Sequence, residues 1–68
     1  MWTKRKSMHK ETLFQYWNQK PNKPTLVVEV WKYAPNKWRA SVNNSFLAKD
    51  VLKAVAVKEA RDYMKRIN

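Results

Sequence analysis

The amino-acid sequence predicts an α+β fold with the order α-β-β-β-α, in which two helices pack on one face of a three-stranded antiparallel sheet. Three observations predict it. An amphipathic segment comes first, three runs of β-branched and aromatic residues follow, and the final segment repeats apolar residues every three or four positions. The chain has 68 residues, which is enough for one domain. We expect a flexible basic arm over residues 1–6 and a single domain over 7–68.

The first helix is predicted over residues 8–19. Leu13 and Trp17 lie four positions apart and would share a helical face. Ser7 is a suitable N-cap residue, and Pro21 would end the helix. This interpretation places Trp17 in the hydrophobic core.

Three strands are predicted next. Residues 25–33 are rich in β-branched and aromatic side chains, which favour strands. Residues 34–37, with the sequence Ala-Pro-Asn-Lys, form a turn, and residues 38–42 alternate apolar and polar side chains. The pair at 43–44 is Asn-Asn, which tolerates the left-handed conformation of a tight hairpin. A third strand over residues 45–49 would follow it.

The second helix is predicted from the spacing of Val57, Ala60, Met64 and Ile67, which recur every three or four positions. Charged residues lie on its other faces. Its start has two candidates: Asp50 as an N-cap, or a position near Val55.

Charge is the strongest indication of function. Fifteen Lys and Arg residues against five Asp and Glu give a formal net charge of +10. Self-repulsion of this size does not help folding, and the commonest ligand for such a charge is a nucleic acid. We therefore expect the cations to gather over one continuous surface of the folded chain.

The composition also excludes several classes of function. There is no cysteine, so disulfides and thiolate metal sites are excluded. There is no glycine, so glycine-rich phosphate loops are excluded. His9 is the single histidine and has no obvious carboxylate or nucleophile beside it, so we expect no enzyme, no cofactor and no metal. Neither a secretory signal nor a membrane span is evident, which indicates a soluble protein of the cytoplasm.

Three short motifs suggest a family. The turn Ala34-Pro35-Asn36-Lys37 is similar to a Gly-Pro-x-His loop, and residues 57–61, Val-Lys-Glu-Ala-Arg, are similar to Lys-Lys-x-Ala-Lys. Gln19-Lys20 is similar to a Gln-Lys pair that ends the first helix of the same family. With these motifs, residues 10–67 resemble the double-stranded RNA-binding domain, although Ala34 and Lys37 replace the loop glycine and histidine.

That resemblance implies specific contacts with nucleic acid. Lys37 would be the loop contact, and Lys58 and Arg61 would bind phosphates from the start of the second helix. The residues themselves offer an alternative, an ordinary solvated helix face, because Glu59 and Asp62 are close enough in sequence to pair with Lys58 and Arg66.

Two further groups of cations are candidate contacts. Lys4, Arg5 and Lys6 form a basic cluster that either neutralises phosphates or serves only solubility. Lys32, Lys37 and Arg39 lie among aromatic residues around the first turn.

The aromatic residues around that turn have two interpretations. If Val28 and Val30 point at the helices, Trp31 and Tyr33 face outward and form a stacking platform for unpaired bases. Alternatively, Trp31 packs across the strands against a neighbour, and Trp38 belongs to the core.

These observations predict a small, non-catalytic protein that contacts the phosphate backbone of double-stranded or structured RNA or DNA. Two alternatives remain open. The sheet itself enters a DNA major groove, or the chain is a small inhibitor or adaptor that binds an acidic protein surface.

Overall fold

The fold is a five-stranded antiparallel sheet followed by one helix, as described by a computed structural model over residues 2–7 and 11–67. The strands lie side by side in the order of the chain. The elements are β1 (Thr3–Arg5), β2 (Thr12–Asn18), β3 (Leu26–Ala34), β4 (Lys37–Val42), β5 (Ser45–Val51) and α1 (Lys53–Arg66).

The predicted α-β-β-β-α order was wrong in the N-terminal part of the chain. The segment 8–19, predicted as a helix, contains strand β2. Its residues 8–10, which include His9, lie outside the described residues. Segment 1–6, expected to be an arm, contains β1, whose residues pair with β2. A spacing of four, as between Leu13 and Trp17, fits a period of two as well as it fits a period of 3.6, so it does not distinguish strand from helix.

The alternation in β2 shows why a strand is the better solution. Phe14 and Tyr16 pair with Val30 and Val28 and share their side of the sheet. Trp17, between Tyr16 and the end of the strand, points to the opposite side. As a strand, β2 forms its backbone hydrogen bonds with β3. Its aromatic rings are divided between the two sides of the sheet.

The three predicted strands are present as β3, β4 and β5, and the Asn-based turns are confirmed. Asn36 has φ 60°, and Asn43 and Asn44 have φ 47° and 69°. Asparagine tolerates this left-handed region better than most residues, which matters in a chain without glycine. The Asn43 side-chain amide also joins the β4–β5 turn to the start of β3. Its Oδ1 accepts a hydrogen bond from the Val27 N–H at 2.8 Å, and its Nδ2 donates one to the Thr25 carbonyl at 3.1 Å.

The C-terminal helix is confirmed, but neither predicted start is correct. α1 begins at Lys53, and Leu52 is its N-cap residue. Asp50 belongs to β5 instead, with φ 55°, at an irregularity between the pairs Ala40↔Ala48 and Trp38↔Val51.

The core lies between α1 and one side of the sheet. Val28, Val30, Ala40, Ala56 and Ala60 are fully buried there. The alanines let the helix approach the strands closely. Among the described residues, α1 is the one helix, and it covers this side of the sheet and not the other.

Trp2 closes the core next to β1. Its indole Nε1 donates a hydrogen bond to the Met64 carbonyl of α1 at 3.0 Å, and its ring meets Tyr63 edge to face. Trp38 packs against the same core, as one of its two interpretations required. In the part of the chain that the structure describes, no helix has the length and apolarity of a membrane span.

Candidate nucleic-acid interface

The side of the sheet that faces away from α1 is called the open face here. Side chains alternate along a strand, so the burial of Val28 and Val30 against α1 turns Trp31 and Tyr33 to the open face. The pairing register extends this assignment to the neighbouring strands. The open face comprises Thr3, Arg5, Thr12, Gln15, Trp17, Val27, Glu29, Trp31, Tyr33, Arg39, Ser41, Phe46 and Lys49, together with Asp50, which hydrogen-bonds to Arg39.

Four of these residues form an aromatic cluster, defined as Trp31, Tyr33, Arg39 and Phe46. The Arg39 guanidinium carbon lies 3.5 Å from the centre of the Tyr33 ring and 5.5 Å from that of Phe46. The Trp31 and Phe46 ring centres are 6.2 Å apart. Tyr33 is 59% exposed and Phe46 is 50% exposed. Trp31 thus faces outward, as the stacking interpretation expected, and also packs against Phe46, as the alternative expected.

The guanidinium of this cluster is held in place by a carboxylate. Arg39 Nε donates a hydrogen bond to Asp50 Oδ1 at 2.9 Å, and only 15% of the Arg39 side chain is exposed. The hydrogen bond from Arg39 lowers the pKa of Asp50, and the charges of Lys37 and Lys49 add to the effect. The same hydrogen bond raises the pKa of Arg39. Arg39 is therefore a fixed cation between aromatic rings.

A second, smaller group lies at the β1–β2 end of the open face. The Arg5 guanidinium carbon is 4.8 Å from the centre of the Trp17 ring. Trp17 Nε1 donates to Gln15 Oε1 at 2.7 Å, which fixes the indole. Trp17 is thus half-buried on the open face and does not lie in the core where the helical interpretation placed it.

Two predicted contacts, Lys58 and Arg61, lie on α1 and therefore on the other side of the sheet. Lys58 Nζ is 2.9 Å from Asp62 Oδ2, the pairing that the sequence left open as an alternative. The hydrogen bond between Lys58 and Asp62 lowers the pKa of Asp62 and raises the pKa of Lys58. The Arg61 guanidinium carbon is 5.9 Å from the centre of the Phe14 ring.

The remaining predicted contacts lie around the edges of the sheet. Lys4 and Lys6 are exposed in and just after β1, and alternation places Lys4 on the opposite side from Arg5. Lys32 is exposed and lies on the α1 side, next to Trp38 of β4. Lys37 is exposed at the β3–β4 turn.

The eight predicted cations are thus not brought onto one face, contrary to our expectation of one continuous cationic surface. Arg5 and Arg39 lie on the open face, whereas Lys58 and Arg61 lie on α1. The cations are not neutralised by acids either, because the described residues form two ion pairs, Arg39–Asp50 and Lys58–Asp62. The molecule therefore carries excess positive charge on both sides.

Sequence reasoning missed Phe46 and Asp50 as members of this site. Both lie on β5, and their approach to Arg39 depends on how β4 and β5 pair. Phe46 lies opposite Ser41 in the regular part of the hairpin, whereas Asp50 lies beyond two irregularities in the pairing. Within residues 2–7 and 11–67 there is also no group of side chains suited to hold a metal ion.

Comparison with known proteins provides no match. No protein-family model, curated protein or solved structure matches this chain. The double-stranded RNA-binding resemblance implied a first helix, which the structure replaces with β2.

Proposed function

We propose that this chain is a small, non-catalytic, intracellular nucleic-acid-binding protein that binds double-stranded or structured RNA or DNA. The open face is its main contact surface. One observation carries the proposal: a cluster of exposed aromatic rings encloses a fixed guanidinium on a face that no element of residues 2–7 and 11–67 covers.

The net charge supplies the general attraction for a polyanion. A ligand that neutralises Lys and Arg charges with its phosphates releases condensed counterions, which favours binding at low salt. The protein is thin, with a shortest extent of 16 Å. Screening acts over about 10 Å at 0.1 M salt but over about 30 Å at 0.01 M salt, so the cations of α1 attract a ligand on the open face mainly at low ionic strength.

The open face is favoured over α1 by the chemistry of the two sides. On α1, Lys58 is paired with Asp62, and Glu59 adds a second negative charge nearby. On the open face, Arg39 is oriented by Asp50 and flanked by rings, an arrangement suited to contact with bases and sugars as well as phosphates.

The test is a competition assay with duplex RNA, duplex DNA and single strands at two ionic strengths. We expect the affinity to fall with salt, with a log–log slope of about −0.9 per phosphate contacted on B-form DNA. A flat salt response would rule out binding through phosphate neutralisation.

Two variants locate the contact surface. Arg39→Gln removes the fixed cation of the open face, and Lys58→Ala/Arg61→Ala removes two cations of α1. We expect the first to weaken binding more than the second, although the second removes more charge. The opposite ranking would favour contacts led by α1. Circular dichroism melts of both variants verify that each remains folded.

A second candidate function rests on the same rings. Tyrosine, tryptophan and arginine are enriched at the energetic centres of protein interfaces, so the aromatic cluster also suits an acidic protein partner. A pull-down from nuclease-treated extract separates the two functions. Retention of a partner after nuclease treatment would favour this second function, and loss of all bound material would favour nucleic acid.

A further inference from the structure

We infer that the open face binds unpaired nucleotides, whose bases stack on the aromatic cluster, in preference to a fully paired duplex. This inference rests on the proposed function and narrows it: of the two forms named there, the open face takes structured nucleic acid, through its unpaired nucleotides, in preference to a continuous duplex. Three observations carry it: the exposure of the rings, the width of the sheet and the charge balance of the open face.

The exposed rings offer surfaces that a duplex does not use. Tyr33 and Phe46 each leave about half of their surface in water. In a duplex the faces of the bases are covered by their neighbours, and only base edges and phosphates are accessible. An unpaired base presents its whole face, and stacking on an aromatic side chain is favourable for every base.

The width of the sheet also argues against entry into a groove. Adjacent strands lie about 4.8 Å apart, so the five strands span roughly 19 Å between the outer strand axes. The major groove of B-DNA is about 12 Å wide. The Arg5–Trp17 pair at one end of the open face and Phe46 at the other therefore do not fit into one groove together, whereas a flexible single strand can cross both.

The open face has too little net charge for binding led by phosphates. Its cations are Arg5, Arg39 and Lys49, and Glu29 and Asp50 oppose them. Asp50 already accepts a hydrogen bond from Arg39. Stacking must therefore supply much of the affinity there, with cations such as Lys49, 5.3 Å from the centre of the Phe46 ring, left to meet the backbone of a stacked strand.

The experiment compares three probes by fluorescence anisotropy: oligothymidylate and oligouridylate of about 15 nucleotides, within the range of known single-strand sites, and a blunt DNA duplex of equal length. The variants are Tyr33→Thr and Phe46→Thr, because threonine keeps the strand propensity while removing the ring. The control is Val55→Thr, which introduces the same residue at an exposed position on α1, away from the open face. Melting curves confirm that each variant is folded.

We expect the wild-type chain to bind at least one homopolymer more tightly than the duplex. Each ring-removing substitution should weaken that binding by about 5-fold to 150-fold, and Val55→Thr should leave it unchanged. Equal or tighter binding of the duplex, or folded ring variants that keep their affinity for the homopolymers, would overturn the inference but leave the proposed function in place. Failure to bind all three probes at low salt would overturn the proposed function itself.

Discussion

The two sides of the sheet are built from the same strands but have opposite chemistry. On β3, Val28 and Val30 are fully buried under α1, whereas Trp31 and Tyr33, one residue out of phase with them, belong to the open face. One side supplies the folding energy of a small domain, and the other side carries large rings and a fixed guanidinium that the core does not use. Substitutions on the α1 side should therefore change stability, and substitutions on the open face should change binding.

The four tryptophans provide the strongest contrast between the two sides. Trp38 packs on the core under α1, and Trp17 lies on the open face beside Arg5. We expect Trp38→Ala to lower the free energy of unfolding by about 3 kcal/mol, near the low end for loss of a core aromatic, because the ring is only half-buried. We expect Trp17→Ala to cost less than about 2 kcal/mol, since its ring lies outside the core. Urea denaturation of both variants measures the difference.

Equal losses in these two variants would mean that the open face contributes to stability as much as the core does. A larger loss for Trp17→Ala would restore the idea that this ring is part of the core, which the helical interpretation of residues 8–19 assumed.

The close approach of α1 to the sheet provides the next contrast. Ala60 is fully buried, so Ala60→Leu should overpack the interface and cost about 1–3 kcal/mol. Ala54 is exposed on the same helix, and leucine has nearly the helix propensity of alanine. Ala54→Leu is therefore the matched control and should leave the melting temperature almost unchanged. A similar loss from both substitutions would contradict the position of α1 over the sheet.

The smallest expected effects concern the two ion pairs, one on each side. The folded-state pKa values of Asp50 and Asp62 lie below the ordinary value because Arg39 and Lys58 donate hydrogen bonds to them. A lowered pKa adds stability above the unfolded-state pKa, and this stability is lost as the pH falls from about 4 through the folded-state pKa. We expect Asp50→Asn and Asp62→Asn each to flatten slightly the acid limb of a stability–pH curve. Both pairs are partly exposed, so the effect should be small and salt-sensitive.

A steeper acid limb in either variant would contradict the direction of the pKa shifts. A change in nucleic-acid affinity is expected only for Asp50→Asn, since Asp50 orients the cation of the aromatic cluster.

The sequence was informative where side-chain type alone determines local structure. β-branched and aromatic runs identified β3 and β4, paired asparagines identified the hairpin, and the spacing of Val57, Ala60 and Met64 identified α1. These signals are local, and they do not depend on what the segment packs against.

The N-terminal strands could not be predicted in the same way. Leu13 and Trp17 fit two periodicities, and pairing with β3 decides between them. Thr3–Arg5 is short, polar and exposed, so it has no strand signal of its own and becomes a strand only because β2 provides a partner.

The candidate site was predictable only in part, because some of its features follow from single strands and others from pairing between strands. Arg39 and the outward direction of Tyr33 followed from alternation along single strands. The contact of Arg39 with Asp50 lies beyond two irregularities in the pairing of β4 with β5, which single-strand patterns do not predict.

The indole N–H signals of the four tryptophans test the central claim, that nucleic acid binds the open face, most directly. Trp17 and Trp31 report on the open face, and Trp2 and Trp38 report on the α1 side. In a ¹⁵N-labelled sample titrated with oligothymidylate, we expect the Trp31 signal to shift most, the Trp17 signal to shift next, and the other two to stay nearly constant. Shifts confined to Trp2 and Trp38 would place the ligand on the α1 side and contradict the claim.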